Sequence, residues 1–189
     1  MAFPAVRDSF YKIRSMLAVG HFTGRTDYQR MLDYFFQADE AFLKGMGVDP
    51  VKLSTREAWL ARLLPDLDRE DREKRTYYLG WFNDGTPIGH CNVNQIRYGR
   101  EAYLHLHMWD RTLRKSGLGT ELVRRSANTF IRKFELQRLY CEPYADNPAP
   151  NRVLTKLGFR LVKRYRTTPG IINFEQDVNQ YVIEQEIAG

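Results

Sequence analysis

The stretch from Met108 to Leu122, MWDRTLRKSGLGTEL, constrains this chain more than any other. Strand-like residues run into a turn carrying two glycines, and the turn opens a helix. Glycine tolerates unusual backbone angles and lets a ligand approach closely, while unpaired N–H groups at a helix N-terminus hold anions. The junction is therefore suited to phosphate. The common phosphate fingerprints do not fit it: GxxxxGK[ST] is absent, and the third glycine of GxGxxG would fall at Leu122. Taken alone, two glycines before a helix also describe an ordinary turn.

The flanking pattern supplies a context. Residues 10–19 read as a first strand. Met31, Leu32, Phe35, Phe36, Phe42 and Leu43 recur at helical spacing after a cap at Thr26 or Asp27. Ser54-Thr55-Arg56-Glu57 has the capping-box pattern and opens a second short helix that Pro65 ends. Tyr77–Phe82 and Pro87–Ile96 are strand-like and flank Asp84-Gly85, a strong hairpin signal; Ala102–Trp109 follows after another turn. A helix then runs to about Phe134, with Leu118, Leu122, Ser126, Phe130 and Phe134 along one stripe. Arg138–Tyr144 is a strand, and Pro148 and Pro150 begin a helix that Gly158 stops. Phe159–Arg166 and Tyr181–Glu186 read as closing strands. This order predicts one α+β domain of the three-layer α/β/α type. Its sheet is mixed and mostly antiparallel, of six or seven strands, with about four helices.

Composition bounds the function. Of 189 residues, 43% are hydrophobic and 13% aromatic, enough for a core without disulfide or metal staples. No apolar run approaches about eighteen residues, so no membrane span is expected. The start, MAFPAVRDSF, lacks the basic-then-apolar pattern of a secretory signal, and the expected setting is cytoplasmic. Cys91 and Cys141 have no CxxC spacing and read as free thiols, and no spacing suggests a metal. Ten basic and four acidic residues between Arg97 and Arg138 account for the whole formal excess of +6. Such a basic third suits the phosphates of a small molecule or a nucleic-acid backbone, and equally a solvated helix face.

Two motifs decide among these readings. Arg114-Lys115-Ser116-Gly117-Leu118-Gly119 satisfies the pattern R/Q-x-x-G-x-G/A directly after the third strand of a meander. Downstream, Asn147, Lys156, Gly158 and Phe159 fit N-x-x-[S/A]-x-x-x-x-x-K-x-G-F, with Pro150 at the small-residue position. In these motifs the chain resembles the GNAT superfamily of acetyl-CoA-dependent N-acetyltransferases over about residues 77–165. In look it is similar to the branches acting on ribosomal-protein N-termini, aminoglycosides and siderophore-type lysines. The resemblance implies acetyl-CoA as acyl donor and an amine-bearing acceptor, a small molecule or a protein N-terminus. It makes residues 1–75 the acceptor side, 76–166 the acyl-CoA-binding core and 167–189 a closing strand. It also implies that Arg114, Lys115, Ser116, Gly117, Leu118, Gly119 and Thr120 meet the pyrophosphate. The backbone of Leu106, His107 and Met108 would bond pantetheine like an added strand, and Asn147 and Asn151 would reach the cofactor arm from the other side. Asn147 fits a helix N-cap as well.

Acyl transfer to an amine needs a neutral amine, a donor for the oxyanion and a proton for the leaving thiolate. An ordinary alkylamine, with a pKa of about 10.4, is mostly protonated at pH 7, so a base or a dry pocket has to act. Tyr103, His105 and His107 alternate onto one strand face, and Glu142 starts a segment on the neighbouring strand. The resemblance makes His105 the expected base, with Glu142 orienting it or binding the amine. The plain alternative is two histidines and a glutamate paving a half-exposed sheet face. Many relatives carry a tyrosine acid where this chain has Leu154, which leaves Tyr140, Tyr144 or water to protonate the thiolate. The competing functions are a CoA-binding protein without catalysis and, with no binding motif to support it, a nucleic-acid binder.

Overall fold

The computed structural model describes residues 16–113, 117–184 and 186–187. β1 (Leu17–His21) leads into α1 (Arg25–Phe36), α2 (Glu40–Gly45) and α3 (Arg56–Leu63). The first strand expected at 10–19 is thus found at its C-terminal end, residues 10–15 lying outside the described ones. The helical pattern across Met31–Leu43 is split in two because Asp39 accepts a bond from the Phe42 N–H (2.7 Å) and caps a fresh helix. Neither Thr26 nor Asp27 caps α1. Its N-cap is Gly24, and the Asp27 carboxylate instead accepts from the backbone N–H and hydroxyl of Thr23. Thr55 caps α3 by accepting from the Ala58 N–H (3.2 Å).

The meander follows from its turns. Asp84 and Gly85 both take positive φ, 50° and 77°, which a two-residue hairpin matched to strand twist requires. β2 (Thr76–Asn83) therefore folds back on β3 (Thr86–Arg97), with Asn83 opposite Thr86. A second reversal brings β4 (Glu101–Met108) against β3. The chain continues through α4 (Leu118–Lys133), β5 (Arg138–Cys141), α5 (Pro148–Lys156), β6 (Arg160–Thr167) and β7 (Gln176–Ile183). The sheet order is β1-β2-β3-β4-β5-β7-β6, and every neighbouring pair is antiparallel except β4 and β5. The last strand begins at Gln176, not at Tyr181. Polar QDVNQ carries little strand signal, but β7 is paired along both edges, and the buried Gln176 amide donates to the Gly47 carbonyl (2.8 Å).

Alternation along the strands sorts side chains onto two faces. One face sets Leu79, Trp81, Val93 and Leu104 against α4 and α5, where Leu122, Phe130, Phe134 and Leu154 are fully buried. Each such side chain contributes about 1.5–3 kcal/mol by leaving water. Ser126 lies in the same stripe at no loss, since its hydroxyl accepts from the Trp81 indole N–H (2.9 Å). The opposite face holds Phe22, Tyr28, Met31, Leu32, Phe35 and Tyr78 with Trp59 of α3. The sheet is the middle of three layers, as the order of elements predicts, with five α-helices among the described residues. The single parallel pair matters most for function. Pairing of β4 with β5 runs from Glu101↔Arg138 to Leu104↔Cys141 and stops, although β4 continues to Met108. The sheet opens there.

Candidate active site

A cavity of about 550 Å³ lies at this opening, under α1 and α3, and reaches past β4 to the start of α5 at Asn147 and Pro150. Strand register builds its floor in rows. Thr76 stands beside Asn94; Tyr78, Asn92 and His105 form the next row across β2, β3 and β4; His90 and His107 form the row after. Three polar atoms around this cavity are buried without a hydrogen-bond partner: the Trp59 indole N–H, Asn94 Oδ1 and His105 Nε2. An unmade bond at a buried polar atom costs about 1–3 kcal/mol, so these are places where a ligand's complementary groups would be taken up. Trp59 and Asn94 were not among the residues singled out from the sequence. Helical spacing marks Trp59 as an inner-face residue, and nothing local distinguishes Asn94 from other strand asparagines.

The histidines divide into two kinds. His107 is stacked on His90, with ring centroids 4.6 Å apart and planes 13° from parallel, and meets the rings of Tyr34 and Phe35 edge-on. His90 Nδ1 accepts from the Trp109 indole N–H (2.8 Å), which fixes its neutral tautomer. Burial, with the neighbouring histidines adding, pushes His90 well below the usual imidazole range and His107 down to about 3. His105 is held down to about 4 by burial alone and keeps a bare Nε2. All three are therefore neutral at pH 7.

Glu142 lines the same cavity but does not orient His105. Its carboxylate accepts from the Tyr165 hydroxyl (2.7 Å) and the Gln180 amide (2.5 Å), so β6 and β7 position it. Asn147 caps α5, accepting from the Ala149 N–H (3.4 Å), and it also faces the cavity. The Asn151 amide is committed within the fold. It donates to the carbonyls of Tyr144 and Asn147 (3.1 and 2.7 Å) and accepts from Asn179 (2.8 Å), bracing the β5–α5 turn. Leu154 sits in the core beneath α5 with no exposure. Of the two tyrosines left for the leaving group, Tyr144 lines the cavity, while Tyr140 is stacked on Tyr103.

At the other side of β4, Gly117 opens α4 with φ 87°, a left-handed N-cap that only glycine adopts without strain. A glycine N-cap offers no side chain to the first-turn N–H groups; that of Thr120 turns back to the Gly117 carbonyl (3.1 Å). Gly119 lies next to the Met108 side chain, so the loop and the end of β4 adjoin. Leu106, Met108 and Leu118 pack against the core below. Arg114, Lys115 and Ser116 lie outside the described residues.

Six of the basic residues in the middle third share four carboxylates. Arg97 and Arg138 pair with Glu101, Arg124 and Arg125 with Glu121, Arg132 with Glu186 and Lys133 with Asp71. This is a solvated surface laced with ion pairs. Among the described residues, no helix is long and apolar enough to cross a membrane.

Known structures share this architecture. Ribosomal-protein-S5-alanine acetyltransferase from Vibrio fischeri superposes with a TM-score of 0.72 at 16% identity, covering 93% of this chain and 99% of that one. Spermidine N-acetyltransferase from Vibrio cholerae, in complex with CoA and spermine, gives 0.70 at 15% identity over 88% and 94% of the two chains. An acetyltransferase from Salmonella typhimurium that modifies the N-terminal serine of a ribosomal protein gives 0.70 at 15% over 89% and 95%. At such identities the likeness is one of fold. A search among curated proteins gave no match. An acetyltransferase (GNAT) domain model, however, matches residues 21–160, which span α1 to α3, the opening of β4 from β5, the glycine N-cap of α4 and all of α5. The chain belongs to the GNAT acetyltransferase family, whose members are acetyl-CoA-binding enzymes.

Proposed function

We propose that this protein transfers an acetyl group from acetyl-CoA to a primary amine by direct attack within a ternary complex. The observation that carries the reading is the end of β4–β5 pairing at Leu104↔Cys141, where the cavity runs from α1 and α3 past β4 to the start of α5. A thioester lying in that gap would meet the β4 backbone near Leu106–Met108, and its pyrophosphate would lie at the Gly117–Thr120 turn. The amine nitrogen attacks the acetyl carbon, and the carbonyl electron pair moves to oxygen, where a β4 backbone N–H stabilises it. His105 Nε2 accepts the proton that the nitrogen sheds once its bond to carbon has formed. Collapse of the tetrahedral centre breaks the C–S bond, and Tyr144 protonates the departing thiolate. Burial, with Asp146 adding, raises the Tyr144 pKa, so the hydroxyl is protonated at neutral pH and releases its proton only to the charge developing on sulfur.

Two measurements test this. Saturating acetyl-CoA, at a hundredfold over Kd, is expected to stabilise the fold by about 2.7 kcal/mol, a Tm rise of roughly 5–10 °C. No shift at millimolar ligand would refute the cofactor assignment. His105→Ala is expected to lower turnover about a hundredfold while CoA affinity stays within twofold. Intact turnover would put the base elsewhere. The buried Leu154, at the position of the usual tyrosine acid, favours one second reading, a CoA-binding protein without catalysis. A Tm rise with no turnover of any amine would select it.

A further inference from the structure

We propose that the acceptor is an amine carrying an anionic group at its far end, not a simple alkylamine or polyamine. The proposal deepens the transferase reading and rests on it for the amine. The two ends of the cavity differ in charge and in hydrogen-bonding chemistry. At the α3 end the unmet side-chain groups are donors, while the unmet acceptor Asn94 Oδ1 stands on β3 beside Thr76. The Trp59 indole N–H is buried there without a partner, the residue being 6% exposed. Arg62 lies over the Trp59 ring, 5.1 Å from its centroid, and Arg75 lines the same end. Neither arginine has an ion pair among the described residues. The acid close by is already committed: Asp66 binds Arg69 (3.1 Å) and accepts from the backbone N–H and hydroxyl of Thr76 (both 2.8 Å).

Two exposed guanidinium groups without ion pairs, beside an unsatisfied buried indole N–H, favour a ligand group that accepts, and a carboxylate or phosphate does so with charge-assisted bonds. The end by the β4–β5 opening is the reverse. His105 Nε2 and the Glu142 carboxylate accept there, which suits the amine. From β2 to β4 or β5 is two to three strand spacings, roughly 10–14 Å, so amine and anion are several bonds apart. A second ammonium on a polyamine would be driven against Arg62 and Arg75, which selects against it.

The test compares ω-aminohexanoate, hexylamine and hexanediamine, which share one amine and differ in tail charge. The carboxylate is expected to lead in kcat/KM by about tenfold or more, and Arg62→Gln and Arg75→Gln together to shrink that preference to within about twofold. Ala-Ala-Glu amide against Ala-Ala-Gln amide separates an acidic peptide N-terminus from a free ω-amino acid as the source of the anion. Equal or better use of hexanediamine, or a preference that survives both substitutions, overturns the proposal. Calorimetric binding of the same three compounds to CoA-saturated protein keeps the test independent of transfer. Carboxylate-selective binding that Arg62→Gln weakens upholds the anion subsite even if no amine is acetylated, and unselective or absent binding overturns it.

Discussion

Stability is expected to fall steeply as the pH is taken from 7 to 5, well above the range where carboxylates usually control acid unfolding. His90, His105 and His107 are neutral in the fold, the latter two with pKa values near 4 and 3, because burial penalises their charged forms. In the unfolded chain each returns to about 6.5. Between those values the unfolded state binds more protons than the folded state, so stability rises with pH through this window and is lost as pH falls below about 6.5. Each neutral histidine adds a slope of about 1.4 kcal/mol per pH unit. For His90, at 1% exposure, the loss by pH 5 is about 2 kcal/mol, and the other two add to it against a total of about 5–15 kcal/mol. Denaturant unfolding at a series of pH values reads the slope directly. His90→Gln keeps an acceptor for Trp109 and is expected to cut the slope between pH 6 and 5 by about a third, since one of three sites no longer titrates. A slope near zero above pH 5 would mean the histidines are charged or hydrated in the fold.

Gly119→Glu is expected to abolish CoA binding while leaving the protein folded. A Cβ at this position meets only the Met108 methyl, at an ordinary 3.5 Å, so a side chain is accommodated. A carboxylate in the first turn of a helix is mildly favourable, and the Tm should hold within about 2 °C. The same carboxylate occupies the first-turn N–H groups proposed for the pyrophosphate and repels an anion. A loss of at least about a hundredfold in affinity, near 2.7 kcal/mol, is expected by calorimetry. Gly119→Ala, which adds volume without charge, should lose far less. Gly117 is a poorer place for the test, because its φ of 87° strains any replacement whatever the ligand does. Unchanged CoA affinity in Gly119→Glu would take the turn out of the site.

Much of the fold was legible because it rests on short-range physics. Asp84-Gly85 makes the hairpin through two positive φ angles, Thr55 caps α3 through a bond three residues on, and the α4 stripe is a matter of helical pitch. What misled was equally physical. A single apolar pattern across Met31–Leu43 did not show that Asp39 would start a new helix. Polar QDVNQ carries little strand signal because β7 owes its place to partners on both edges, not to its own residues.

The site divides along the same line. A glycine turn before a helix, a second motif at Asn147–Phe159 and a strand with alternating histidines are written in neighbouring residues, and they sufficed for the family. The register of β2, β3 and β4, with α3 packed over it, decided that Asn94, His105 and Trp59 surround one cavity with unmet hydrogen bonds. Tertiary packing also gave Glu142 to Tyr165 and Gln180, spent Asn151 on bracing a turn and, among the described residues, left Arg62 and Arg75 without an ion pair. Turn angles and helical pitch belong to adjacent residues. A hydrogen bond or an unpaired charge belongs to whichever distant groups the folded chain brings within reach.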